Sequence, residues 1–221
     1  MKKIEGVIRM VKKNLLTGAD YLLLLFYVKG KTPDILEPIE GRTRITKMMF
    51  LFQMEWLKKI EFKKNLDIDQ LQFFEAYNYG PFSSDVHDEL DLFISIGFLR
   101  EQVKKVKRNA LPDYDYVQKV DTDNSEGYDE WIDLESSYEI STYTLTNLGK
   151  KYVEEELLPQ LGFEKEFILS ELSKLKEQMN SNSLNDILSY VYNKYPDFAE
   201  KSKIREQVLK NGDSKLQSKN F

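Results

Sequence analysis

His87 is the one histidine of the chain, and there is no cysteine. The chemistry open to the side chains is therefore narrow. Thiolate nucleophiles, thiolate metal sites and disulfides are excluded, which suits a reducing cytoplasm. His87 follows Val86, an apolar position on a helical stripe, and no recognisable motif arranges a serine or a carboxylate pair around it. The chain has no Walker loop, no glycine-rich dinucleotide turn and no His-x-x-x-His metal pair. Asp121-x-Asp123-x-Ser125 with Gly127 begins like a calcium loop. However, Glu126 holds the sixth place, where glycine is required, and Ile132 holds the twelfth, where glutamate is required. The expectation is a protein that is not an enzyme, with no metal and no cofactor.

Charge is the more informative chemistry. A net charge of −5 argues against general nucleic-acid binding, although a local basic patch can override it. Two such patches are present. Arg42, Arg44 and Lys47 open one helix, and residues 98–110 carry Arg100, Lys104, Lys105, Lys107 and Arg108 against Glu101. Lys104, Lys105, Lys107 and Arg108, helped by Arg42, Arg44 and Lys47, are the candidate phosphate contacts. Opposed to them are Asp85, Asp88, Glu89 and Asp91 on another helix, with no Lys or Arg between Ser83 and Gly97. These acids are the candidate protein contacts. Residues 113–139 hold ten acids against Lys119 and read as a solvated insert.

The elements that must position these groups follow from periodicity. Ile4, Val7, Ile8, Val11 and Leu15 form a helical stripe whose flanks carry Lys2, Lys3, Arg9, Lys12 and Lys13. The reading is a terminal helix docked on the domain, preferred over a membrane-surface helix. Thr17-Gly-Ala-Asp20 is a capping box that starts a second helix. Tyr21 to Val28 is apolar on all sides, so this helix should be central to the core, with Gly30 as its left-handed C-terminal cap. That apolar run is the longest in the chain and falls about ten residues short of a membrane span.

Lys31 to Glu40 reads as a loop. The next helix has Thr43 as N-cap and buries Ile45, Met48, Met49, Phe52 and Trp56. Leu71 to Tyr77 should be extended and lead into a turn at Asn78-Tyr79-Gly80-Pro81, where Gly80 takes a positive φ. Ser83 caps the acidic helix, which buries Val86, Leu90 and Phe93 and stops at Gly97. A strand from Phe98 and a partner strand from Tyr138 to Leu145 enclose the insert, and Thr146 caps the helix after them. Phe167, Ile168, Leu172, Leu175 and Met179, then Leu184, Ile187, Leu188, Val191 and Tyr195, mark two further helices expected to pack as an antiparallel pair.

This order of elements is that of a winged helix-turn-helix, a mainly α (α+β) fold with a small hairpin wing and extra helices at both ends. The expected division is a winged-helix domain over residues 1–158, with the acidic wing insert at about 110–137. A C-terminal helical extension over 159–210 and a flexible tail over 211–221 complete it. Ser84 to Ile96 would occupy the recognition position.

Four segments carry a family resemblance. They are Gly41-Arg-Thr-Arg-Ile-Thr-Lys-Met-Met-Phe50; Tyr77-Asn-Tyr-Gly-Pro-Phe-Ser83 with Val86, Leu90 and Gly97-Phe-Leu99; Tyr143-Thr-Leu-Thr-Asn-Leu-Gly149; and Tyr190-Val-Tyr-Asn-Lys-Tyr-Pro196. Together they resemble the YwgA-like proteins over roughly Gly41 to Ser202. The Tyr79-Gly80-Pro81 turn and the helix after it are more distantly similar to the Panacea, or SocA-like, antitoxin domain. The resemblance implies a small cytoplasmic bacterial, phage or archaeal protein, and the Panacea relatives neutralise a toxin by direct binding.

A major-groove helix must approach two phosphate strands, and an all-acidic helix is repelled there. The leading expectation is therefore protein binding, antitoxin-like or regulatory, with a toxin or other basic protein as partner. The alternative is a transcriptional regulator that binds DNA through its basic wing, as a homodimer joined through the terminal helices.

Overall fold

The computed structural model of the chain describes residues 15–33, 36–107 and 137–212. The basic N-terminal stripe up to Val11, Arg108, most of the acidic insert with its calcium-like spacing, and the chain from residue 213 lie outside these residues.

Helix α1 (Gly18–Tyr27) starts as its capping box requires. The Thr17 hydroxyl accepts from the Asp20 amide, and the Asp20 carboxylate accepts from the Thr17 amide at 2.8 Å. Tyr21 to Phe26 are all fully buried, so α1 is packed on every side. The Tyr21 ring lies 5.0 Å from Phe52 and 5.8 Å from Phe62. The end of α1 departs from expectation. Gly30 has no positive φ, and the C-cap Val28 is extended. The orphan carbonyls of Phe26 and Val28 are taken instead by the Lys176 Nζ, at 3.1 and 2.9 Å, from a helix far along the chain. Burial holds the Lys176 amine down to about 7. Its N–H donors serve both carbonyls, which offsets the burial of the amine and of the two oxygens. Gly30 is needed for space, because a Cβ there would lie 2.9 Å from Glu37 Oε1 and 3.0 Å from Lys176 Cγ.

Strand β1 (Ile39–Glu40) lies inside the stretch expected to be loop. It pairs antiparallel with β5 (Ser137–Leu145), Ile39 opposite Tyr143, and β5 pairs antiparallel with β4 (Leu99–Lys107), Leu99 opposite Leu145. The sheet order is β1-β5-β4. Gly41, with φ 79°, turns the chain from β1 into α2 (Arg42–Glu55) and is the N-cap in place of Thr43, which is already buried in the first turn. Short helical turns and α3 (Ile60–Lys63) lead to a hairpin of β2 (Glu75–Tyr77) and β3 (Gly80–Phe82). After it come α4 (Ser84–Ser95), the β4–β5 pair and α5 (Asn147–Tyr152). The C-terminal part comprises α6 (Lys165–Ser181), α7 (Leu184–Lys194), α8 (Pro196–Ala199) and α9 (Arg205–Gly212). The described chain is thus mainly helical with a small antiparallel sheet, in the α+β class.

The expected pairing of α6 with α7 is corrected. Both helices pack on α2, and α7 packs chiefly against α9. The reason lies in α2, which buries Thr43 through Phe52 without a break and so has apolar surface on more than one side. A single face would have left α6 and α7 to cover each other. Trp56 Nε1 donates to the Glu171 carbonyl of α6 at 3.2 Å and fixes that contact.

Candidate interaction surface

Helix α4 is positioned by its own sequence. Ser83, extended and 1% exposed, caps it by accepting from the Val86 amide. Val86, Leu90 and Phe93 anchor it in the core, and Gly97 ends it with φ 77°. The opposite face presents Ser84, Asp88, Asp91, Leu92, Ser95 and Ile96 to solvent. Leu92 is 54% exposed and Ile96 44%. Leu148, equally exposed, reaches from α5 to the Gly97 turn. An apolar patch therefore continues an acidic one. The signal in the sequence was the i, i+4 pair Leu92 and Ile96, off the Val86–Leu90–Phe93 stripe, which the count of charges obscured.

The four acids of α4 have different surroundings. Asp88 is exposed. Asp85 accepts from the Phe73 amide at 2.8 Å and ties the approach to β2 onto the helix. Asp91 pairs with the Arg42 Nη2 at 2.5 Å. Arg42 Nε donates in turn to the Tyr143 hydroxyl at 2.9 Å, and Tyr143 donates to Glu101 at 2.6 Å. This chain clamps α2, α4, β4 and β5 together. Nothing in local periodicity announces it, because its members lie far apart in sequence.

Glu89 is half-buried and accepts from Gln72 Nε2 at 2.7 Å. Burial raises its pKa to about 7, Gln72 works against that, and Asp85, Asp20 and Asp88 add to it. The native carboxyl keeps its proton in a range where the unfolded one has lost it. Stability from this group is therefore complete below the ordinary value of 4.5 and is lost as pH rises to about 7. Glu89→Gln should raise stability at pH 8 by about 1 kcal/mol after solvent screening, and flatten the decline between pH 4.5 and 7 in urea unfolding.

The candidate phosphate contacts separate into two groups. Arg44 is 6% exposed and donates to the carbonyls of Met179 and Asn182, the latter at 2.8 Å, closing the end of α6. Lys47 is 3% exposed and donates to the Pro81 carbonyl at 2.8 Å. Their place in the phosphate set is corrected: both cations serve buried backbone carbonyls, whose desolvation they offset. Arg42 is in the clamp. On β4, Arg100, Gln102, Val103 and Lys104 are exposed, and the backbone of Lys105 and Lys107 continues the strand.

Tyr79, Gly80 and Pro81 sit differently from the expected turn. Asn78 and Tyr79 make the turn, and Gly80 and Pro81 already belong to β3, opposite Tyr77 and Ala76. Gly80 does take φ 86°, and a Cβ there would lie 2.5 Å from Tyr192 Cε1. The segments Tyr77–Ser83 and Tyr190–Pro196 therefore meet at this contact. His87 rests its ring 5.1 Å from Phe82, with Nε2 3.3 Å from the Thr46 hydroxyl, and burial, reinforced by Arg42, lowers its pKa. No helix among the described residues is long and apolar enough to cross a membrane. Comparison of the chain with protein-family models, curated proteins and solved structures returns no match.

Proposed function

We propose that this chain is a non-enzymatic winged-helix protein, antitoxin-like or regulatory, that acts by binding a basic protein directly through the outer face of α4. The observation that carries the reading is the composition of that face. Asp88, and Asp91 in its pair with Arg42 of α2, stand beside exposed Leu92 and Ile96, with Leu148 adjoining and no Lys or Arg on the helix itself. Acids repel phosphate, whereas an apolar patch rimmed by acids suits a protein with an apolar anchor and a basic rim. The winged-helix assignment is supported by α1, α2 and α4 preceding a β4–β5 hairpin whose inner strand also takes β1. The more distant Panacea resemblance implies direct binding as the mode of action, whereas the YwgA-like resemblance implies a protein of poorly defined function.

A second reading, DNA binding through the wing, is favoured by one observation, the exposed Arg100 and Lys104 on β4. Titration of random duplex DNA separates the two. The protein-binding reading expects no measurable affinity at 0.15 M salt, on the order of physiological ionic strength. Affinity that falls steeply with salt, and is lost when Lys104, Lys105, Lys107 and Arg108 become Ala, would establish the wing reading.

A further inference from the structure

Between Lys64 and Arg100 the chain holds seven acids and neither lysine nor arginine. This stretch forms the β2–β3 hairpin as well as α4, and the hairpin has an outward face of its own. Phe73 is 73% exposed and Tyr77 47%, while Phe74 between them points into the core and meets the Phe50 ring at 5.4 Å. Across the hairpin, Phe82 opposes exposed Glu75, and its ring lies 5.1 Å from that of Tyr77. The platform is rigidly backed. Asp85 holds the Phe73 amide, Gln72 is bonded to Glu89, and Tyr192 packs under Gly80.

A contiguous exposed apolar patch rimmed by polar residues marks an interaction site, and Tyr77 and Phe82 are in ring contact. Here Glu75 stands directly opposite Phe82, the Asp85 carboxylate sits on the Phe73 amide, and residues 65–99 hold no lysine or arginine. Ring faces attract cations through their quadrupole, and a planar guanidinium can stack on a ring while donating to neighbouring carboxylates. An ammonium is a more strongly hydrated point charge and gains less from such a site.

We propose that the outer face of the β2–β3 hairpin is a docking site for an arginine-bearing basic segment of a partner protein. The proposal rests on the protein-binding reading and adds the partner's chemistry to it. Phe82 touches His87 and Asp85 holds the Phe73 amide, so the hairpin lies beside the first turns of α4, and one partner can engage both the rings and the helix.

The test is fluorescence anisotropy of a labelled oligo-arginine peptide titrated with the full chain, beside an oligo-lysine peptide of equal length. Oligo-arginine should bind at least about 5-fold more tightly than oligo-lysine, and Phe73→Ala with Tyr77→Ala should weaken it about 10-fold. Tyr77 packs on Phe82, so melting temperatures are compared with the parent, and Phe73→Ala alone, at the more exposed ring, should weaken binding with the melting temperature kept. The Glu75→Gln variant provides a second check, with a smaller loss and a shallower salt dependence.

Equal affinity for the two peptides, insensitive to the aromatic variant, would overturn the proposal, even if a partner that depends on Leu92 and Ile96 is still bound. Two other outcomes would also overturn it. One is self-association abolished by Phe73→Ala with Tyr77→Ala, which assigns the face to a second copy. The other is oligo-arginine binding that appears only once Lys2, Lys3, Arg9, Lys12 and Lys13 are replaced by Ala, which assigns it to the chain's own N-terminus.

Discussion

Gly80→Ala should lower the free energy of unfolding by on the order of 3 kcal/mol, measured by urea denaturation against the parent chain. Two costs combine. The first is conformational: Gly80 has φ 86°, a region that a residue with a Cβ enters only under strain. The second is steric, because the new methyl would stand 2.5 Å from Tyr192 Cε1, a ring that is 1% exposed and hydrogen-bonded by Ser202 at 2.9 Å. Tyr192 cannot swing away into solvent without opening the seat of α7. The effect should reach beyond the hairpin. Pro81 supplies the carbonyl for buried Lys47, and the Asn78 carbonyl accepts from the Lys203 amide at 2.8 Å. Displacing the hairpin therefore strands polar groups on α2 and on the segment before α9. A companion variant, Tyr192→Phe, keeps the ring and removes only the hydroxyl bond, so its loss should be no more than about 1 kcal/mol.

Local order in this chain was legible wherever a rule acts within one turn. The Thr17–Asp20 box, the Ser83 and Thr146 caps, the Gly97 stop and the two strands flanking the insert all follow from such rules. The expectations that failed depend on distant partners. Gly30 looked like a helix stop, yet α1 is closed by Lys176, and no local pattern says that a lysine so far along will serve those carbonyls. Arg44 and Lys47 looked like surface cations because Lys and Arg usually are, yet each is spent on a buried carbonyl. In the same way β1, two residues long, exists only because β5 offers an edge, and two residues carry no periodicity to read. On the candidate surface, the acids of α4 were visible from charge alone. Leu92 and Ile96 were present in the sequence as well, but their exposure depends on how the helix is rotated against α2.

On the proposed binding face of α4, two side chains should dominate the energetics. Leu92 and Ile96 are one helical turn apart, both exposed, and bordered by Asp88, Ser95 and the Asp91–Arg42 pair, which is the arrangement of an apolar anchor inside a polar border. Truncating two such anchors typically costs at least 2 kcal/mol in all, or on the order of 30- to 100-fold in affinity. Neither residue belongs to the buried core, so the loss should appear without a change in melting temperature. The most direct measurement is the affinity of a protein captured by the parent chain, compared between the parent and Leu92→Ser with Ile96→Ser at equal stability. A fall of that size, with duplex DNA unbound by both proteins, is the predicted result. Unchanged partner affinity in the variant, or duplex binding that survives it, would contradict the assignment of α4 as the binding face.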